Sequence, residues 1–321
     1  MKNVIVTGSY GKSSTVCLIK EIIDDTGLEM NVCKCSINEL KNCEIHPHIL
    51  IITNISSYPL PEGIHTYKEC IEEIDAIMQK QNDQDLTVLN SDYEFILSMI
   101  DGKSPGKIEL FNIHSNISGE TFYDKETDSI SIRKDNVGKP IIPIKELKLP
   151  GFRNHEIYYS VVAAMKDYVD KNVLNTIIKS FSGAESHFEY MGVLNGAVVF
   201  NNAHAEKPSY AVYSLMPFEQ KVIFITGGQL RDYPYHGLGL INVTYSKELI
   251  LIGESADKIE ESTKKALCYD PNRINIYKVE NLAKAVETAS KLVSDGDIIM
   301  FSPSTPISEY KNYQDSGRDY K

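Results

Sequence analysis

Near the start of the chain, Thr7-Gly8-Ser9-Tyr10-Gly11-Lys12-Ser13-Ser14 follows the short apolar run Asn3 to Val6 and precedes Val16, Ile19, Ile22 and Ile23 on helical spacing. Glycines let backbone N–H groups turn inward around phosphate oxygens, and a helix starting there adds the positive end of its dipole. In that setting the Lys12 ammonium neutralises the terminal phosphates of a nucleotide, and the Ser13 hydroxyl offers an oxygen to Mg²⁺. The segment therefore reads as an ATP loop with Gly8, Ser9, Tyr10, Gly11, Lys12, Ser13 and Ser14 in contact with the nucleotide and Ser13 as metal ligand. Two residues separate its glycines, instead of the four of the common G-x-x-x-x-G-K-[ST] form.

Other reactive residue types point to less. The six cysteines (Cys17, Cys33, Cys35, Cys43, Cys70, Cys268) are expected to be free thiols, since a chain this long without a secretory signal needs no disulfide framework. Cys33-Lys34-Cys35 lacks the C-x-x-C spacing of zinc knuckles, and His46-Pro47-His48 has no second ligand pair nearby in sequence. Glu69, Glu72, Glu73 and Asp75 read as a solvated helix face. Tyr310 and Tyr313, three apart on an expected helix, read as packing residues.

The elements that must hold the loop alternate along the chain. Apolar runs at Asn3–Val6, Ile49–Thr53, Leu86–Leu89, Val222–Thr226, Leu249–Ile252 and Asp297–Phe301 predict buried parallel strands. Between them lie stretches of helical spacing, such as Leu282, Ala285, Val286, Ala289 and Leu292, so the chain is expected to be α/β throughout. Alternating runs between Pro105 and Pro143 predict a small antiparallel excursion, and a helix is expected from about Asn154 to Tyr168. The small polar segment Ser182-Gly183-Ala184-Glu185 sets an expected domain boundary near residue 184.

Composition narrows the partners. With 42% hydrophobic and 24% charged residues the 321-residue chain is globular rather than disordered, and at that length about two domains are expected. Its net charge of −11 repels nucleic-acid phosphates and anionic lipid, so neither is an expected partner. The N-terminal apolar run is too short for a signal-peptide core and no later run reaches membrane-span length, which predicts a cytoplasmic protein.

The glycine loop resembles the T-G-x-x-G-K-[ST]-[ST] loop of the Mur ligases, and further motifs follow in family order. Ile52-Thr53-Asn54-Ile55-Ser56 resembles the strand-end N-I-S, Val88-Leu89-Asn90-Ser91-Asp92 resembles V-L-N-A-D-D, and Leu149-Pro150-Gly151-Phe152-Arg153-Asn154 resembles L-P-G-x-H-N. Phe301-Ser302-Pro303, with Tyr310-Lys311-Asn312-Tyr313 and Gly317, is similar to the closing pattern of the branch that adds D-glutamate. The resemblance covers nearly the whole chain. It implies a P-loop ATPase domain with a parallel sheet over residues 1–184, followed by a Rossmann-like α/β C-terminal domain over 185–321. It also implies an ATP-dependent, ADP-forming carboxylate–amine ligase that works through an acyl phosphate, with ATP and Mg²⁺ as cofactors and a carboxylate and an amino acid as substrates.

Carried over by position, Asn154 would contact the base region of the nucleotide. The family's H-R-L-E aligns with Ser186-His187-Phe188-Glu189, and its N-D-S-K-A-T-N-P with residues 201–208, so His187 stands for an arginine, Asn202 for an aspartate and His204 for a lysine. The resemblance places His187 and Asn202 at the nucleotide, Lys12, His204 and Arg231 in catalysis, and Arg231, Thr305 and Tyr313 at the amino acid. Arg keeps a forked donor for a carboxylate, whereas His for Arg removes it.

Departures from the family are equally specific. Full-length members begin with a domain that grips a UDP-sugar; here the loop starts at Thr7, so no such domain is expected in the chain, and a partner chain supplying substrate recognition becomes an option. Where the family has D-H-L-D-x-H the sequence reads Ser57-Tyr58-Pro59-Leu60-Pro61-Glu62-Gly63, Glu73 lies near the expected carbamylated lysine, and the strand glutamate aligns with Cys33 or Lys34. The second Mg²⁺ site is expected to be dismantled, leaving the ion at Ser13, unless Glu39, Glu62 or Glu73 rebuilds it. Two alternatives follow: a Mur-like ligase acting on a non-UDP carboxylate in cofactor biosynthesis, and a catalytically degenerate nucleotide-binding regulator.

Overall fold

Val4, Ile5 and Val6 are wholly buried, and the strand they form, β1 (Lys2–Thr7), is the pivot of an eight-stranded sheet. β1 pairs in parallel with β2 (Met30–Lys34) on one side and β3 (Ile49–Ile52) on the other. β4 (Leu86–Asn90), β5 (Lys107–Asn112) and β6 (Thr121–Asp124) extend the parallel run. β7 (Ser129–Lys134) and β8 (Val137–Pro143) close it as the expected antiparallel excursion. The computed structural model describes residues 1–55, 60–61, 63–93, 104–114, 119–135 and 137–321. Ser56, Ser57 to Pro59 and Glu62, named above, lie outside them.

The chain leaves β1 toward β2 and then returns to β3 on the other side, so the strand order reverses at β1. Open α/β sheets form their ligand crevice beyond the carboxyl ends of strands at such a point. The glycine loop lies there, between β1 and α1 (Lys12–Thr26). Left-handed glycines bound that helix, Gly11 at φ 81° and Gly27 at φ 69°, conformations that cost L side chains energy. Leu18, Ile19 and Ile22 form its buried face. On the opposite side, α2 (Tyr67–Met78) packs Cys70, Ile74, Ile77 and Met78 on Ile5, Leu50, Ile52 and Leu89. Each such fully buried aliphatic side chain contributes about 1.5–3 kcal/mol relative to exposure.

α3 (Phe152–Met165) packs on α1, β4 and β5, with every residue from Glu156 to Met165 buried. It starts two residues before the expected Asn154 and ends at Met165 rather than Tyr168. α4 (Lys171–Ser180) follows, capped by the Asp170 side chain, which accepts from Asn172 N. These elements form one compact unit, Met1–Lys148 with Phe152–Phe181.

The second unit, Leu149–Gly151 with Ser182–Lys321, is built on a six-stranded sheet. β9 (Glu189–Leu194) and β10 (Ala197–Asn201) form a hairpin through Asn195-Gly196, both at positive φ as a two-residue primed turn requires. After α5 (Pro208–Leu215) come β11 (Val222–Gly227), α6 (His236–Tyr245), β12 (Ser246–Ile252), α7 (Ala256–Lys264), β13 (Asn275–Val279), α8 (Leu282–Leu292), β14 (Ile298–Phe301) and α9 (Tyr313–Tyr320). The strand order is β13-β12-β11-β14-β10-β9, parallel except for β9. Leu282, Ala285 and Ala289 of α8 and Tyr320 of α9 cover Ile223, Ile225, Ile250, Ile252, Ile299 and Phe301. Tyr310 precedes the last helix, contrary to expectation, because the Asn312 side chain accepts from Asp315 N and starts the helix after it.

Among the described residues no helix is long and apolar enough to cross a membrane. All six cysteines are free.

Candidate functional site

The glycine loop is shaped by close approach. Gly8 sits at φ 139°, and a Cβ there would fall 2.2 Å from Thr53 Oγ1 and 2.9 Å from the Asn54 carbonyl, so no other residue fits. Ser9 N donates to Asn54 O at 3.0 Å, tying the loop to the end of β3. Helix α1 has no side-chain cap and no acidic residue in its first turn. Its leading N–H groups therefore meet no side-chain acceptor and present positive partial charge. The wholly buried Thr7 hydroxyl at the loop's start also has no hydrogen-bond partner among the described residues. Such a cradle fits the phosphates of a nucleotide.

What holds it is a buried carboxyl. Glu156, on the first turns of α3 and 2% exposed, accepts from Asn54 Nδ2 at 2.9 Å, Asn90 Nδ2 at 3.2 Å and Tyr93 OH at 2.8 Å. Asn54 in turn brackets Tyr10, accepting from its amide at 3.1 Å and donating to its carbonyl at 3.2 Å. Thr53 Oγ1 donates to that same carbonyl at 2.9 Å, and the Tyr10 and Tyr93 hydroxyls meet at 2.8 Å. The Arg153 guanidinium lies 4.3 Å from the centre of the Tyr10 ring. Burial pushes the Glu156 carboxyl up to about 8, although Tyr93, Asn54 and Arg153 pull it back. Two motifs quoted separately from the sequence thus meet through Asn54 and Asn90 at one carboxyl that the sequence reading did not single out, and Arg153 of a third acts on its charge. Its signal was a lone Glu ahead of the apolar stretch Ile157 to Met165. Asn154 occupies the first turn of the same helix, half-buried.

Lys12 folds back over the loop, its Nζ 2.5 Å from Gly8 O and 3.5 Å from Ser9 O. Burial lowers its pKa, and the charge of Lys34 lowers it further. Lys34 is in register with Val6 at the end of β2 and donates from Nζ to Ser13 Oγ at 3.3 Å. Strand alternation sends the two candidates for the family's strand glutamate to opposite faces. Cys33 and Cys35 pack on the α2 side, whereas Lys34 reaches Ser13. The donor set does not fit a protein-held Mg²⁺. At Ser13 the ion would meet an ammonium, and among the described residues neither Lys12 nor Lys34 pairs with a carboxylate, the hard oxygen ligand the ion requires. Glu39 is taken up in a capping box at Ser36, and Glu73 accepts from Lys41 N at 2.9 Å and pairs with its Nζ at 3.4 Å.

At the opposite end of the strands, just ahead of β3 and β4, His46, His48 and Asp85 cluster. His48 Nδ1 accepts from Asn3 N at 3.1 Å, which leaves its proton on Nε2, and His46 Nε2 is 2.9 Å from Asp85 Oδ2. Those commitments make a strand-end latch rather than a metal site.

In the second unit the expected residues also gather at carboxyl ends of strands. The rings of His187 and His204 meet edge-on at 4.1 Å, and Tyr313 stacks on His204 at 4.9 Å. Asn202 is committed to the fold: its Oδ1 accepts from Phe188 N at 3.0 Å and its Nδ2 donates to Ser214 Oγ at 2.7 Å. Thr305 is wholly buried and donates to Gln229 O at 2.8 Å, so it braces the segment bearing Arg231. Arg231 itself is exposed and hydrogen-bonds the Gln229 side chain.

No family model matches the chain. It is 30% identical to the UDP-N-acetylmuramoylalanine–D-glutamate ligase of Ruminiclostridium cellulolyticum, across 98% of this chain and 72% of that protein. The chain belongs to the Mur ligase family. A second such ligase, from Acetivibrio thermocellus, is 28% identical over the same shares. Among solved structures, MurF from Acinetobacter baumannii superposes with a TM-score of 0.67 at 13% identity, covering 100% of this chain and 76% of that one. Folylpolyglutamate synthase from Mycobacterium tuberculosis, complexed with ADP, gives 0.63 at 13%, covering 99% and 89%. These two show the Mur ligase fold, a P-loop α/β domain followed by a Rossmann-like one. Family membership carries the reaction class: ATP-dependent, ADP-forming ligation of an amine to a carboxylate.

Proposed function

We propose that this Mur ligase adds D-glutamate to a carboxylate of the UDP-N-acetylmuramoylalanine type, consuming ATP. The observation that carries the reading is the uncapped glycine loop, held open at Tyr10 by Asn54 and Glu156. A free carboxylate resists attack by an amine, and its phosphorylation supplies a leaving group; the amine then expels phosphate through a tetrahedral oxyanion. In this chain Lys12 draws the terminal phosphates onto the loop amides. Mg²⁺ enters as the counter-ion of the triphosphate rather than as an ion held by carboxylates. On the second unit, exposed Arg231 offers a forked donor to the carboxylate of the incoming amino acid.

The test is ADP release by the purified chain with UDP-N-acetylmuramoyl-L-alanine and D-glutamate. Release that needs both substrates, and that falls when D-glutamate is replaced by neutral amino acids, is expected. Equal stimulation by neutral amines overturns the amino-acid assignment. ATP turnover indifferent to any amine overturns the ligase reading.

A further inference from the structure

Two ammonium groups converge on the glycine loop. Lys12 lies over the loop carbonyls, and Lys34, reaching across from β2, places Nζ 3.3 Å from Ser13 Oγ. Helix α1 points its positive end at both, has no acidic residue in its first turn and has no side-chain cap. Neither lysine forms an ion pair among the described residues, in a chain whose acidic groups outnumber its basic ones by 44 to 33. Like charges held together at a helix N-terminus raise the energy of the free protein, and a polyanion relieves that repulsion. Burial lowers the Lys12 pKa, and the nearby Lys34 charge lowers it further.

We propose that Lys34 is a second phosphate-binding lysine, a resident cation standing at Ser13 where a divalent ion would otherwise stand, so that the chain binds ATP without a divalent metal. This rests on the reading of the loop as an ATP site. An ammonium is a compact point charge with three rotatable donors, able to share Ser13 Oγ and a terminal phosphate oxygen at once. Its reach ends at the terminal phosphates, so the contribution belongs to ATP and not to AMP.

Titration calorimetry with ATP and AMP, in EDTA and in Mg²⁺, tests this on the full chain. Wild type should bind ATP in EDTA within about tenfold of its affinity in Mg²⁺, and Lys34→Met should weaken ATP in EDTA by about tenfold while leaving AMP unchanged. Lys34→Arg should retain most of the affinity. Lys34→Glu should bind ATP in Mg²⁺ but not in EDTA, because a carboxylate there repels bare phosphate and ligates the metal. Lys34 is exposed and its removal relieves like-charge repulsion, so Lys34→Met and Lys34→Glu should melt no lower than wild type. Wild-type binding confined to Mg²⁺, or a Lys34→Met variant indistinguishable from wild type in EDTA, overturns the proposal. Failure of wild type to bind ATP under either condition overturns the loop reading instead.

Discussion

The glycine loop of the first unit and the histidine–tyrosine rim of the second both lie at carboxyl ends of parallel strands, yet different forces hold them. The loop hangs on directional bonds to a carboxyl that is 2% exposed: Glu156 fixes Asn54, and Asn54 fixes both backbone groups of Tyr10. The rim carries ring contacts among His187, His204 and Tyr313 beside a bond of 2.8 Å between His187 Nδ1 and Glu185 O, and exposed Arg231 hydrogen-bonds the Gln229 side chain while its carbonyl accepts from the Tyr235 hydroxyl. A buried polar network tolerates few arrangements, because every unmade bond costs the desolvation of its group, whereas ring contacts of this kind bend at small cost. The loop thus rests on buried directional bonds and the rim more on ring contacts, so the loop is expected to be the more rigid of the two.

The comparison breaks most completely if the loop's cation proves dispensable. Lys12→Ala should lower ATP affinity by about 100-fold, or about 2.7 kcal/mol, with the melting temperature nearly unchanged. Calorimetry beside a thermal melt checks both halves.

Glu156→Gln is the next largest effect. Three donors converge on this carboxyl, and an amide nitrogen would oppose at least one of them, so destabilisation of about 1–3 kcal/mol is expected in denaturant unfolding. The wild type also carries a pH signature. Because the folded pKa is raised from 4.5 to about 8, the folded chain binds more protons than the unfolded chain between those values. Stability contributed by this group is therefore complete below about 4.5 and declines as pH rises to about 8. Glu156→Gln should remove that decline, and parallel curves for the two proteins would contradict it.

Smaller effects belong to the rim. Arg231→Ala should weaken the apparent affinity for D-glutamate by about tenfold and leave ATP binding unchanged. His204→Leu should lower stability by about 0.5–1.5 kcal/mol through loss of its stacking on Tyr313, and a larger loss would mean the rim is as rigid as the loop.

The loop was legible because its grammar is local: strand, glycines, Lys-Ser and helix all lie within residues 2–26. The buried strands β1, β3, β4, β11, β12 and β14 were legible for the same reason, each being a short apolar run. β2 was not, because Met30-Asn31-Val32-Cys33-Lys34 mixes polar and apolar residues with one buried position. Glu156 escaped notice because its partners lie 63, 66 and 102 residues away in sequence, and periodicity carries no information at that range. Thr305 and Asn202 show a different limit. Both were expected at ligands, but a hydroxyl or amide that braces a backbone looks the same in sequence as one that meets a substrate.

The central claim is that the loop is already formed for a triphosphate. A crystal structure of the chain with a non-hydrolysable ATP analogue tests it most directly. The account predicts terminal phosphates seated on the amides that open α1, within hydrogen-bond distance of Lys12 Nζ, with the Tyr10–Asn54 and Asn54–Glu156 hydrogen bonds intact. A nucleotide bound elsewhere, or a loop that breaks the Asn54 bonds to receive it, would contradict the account.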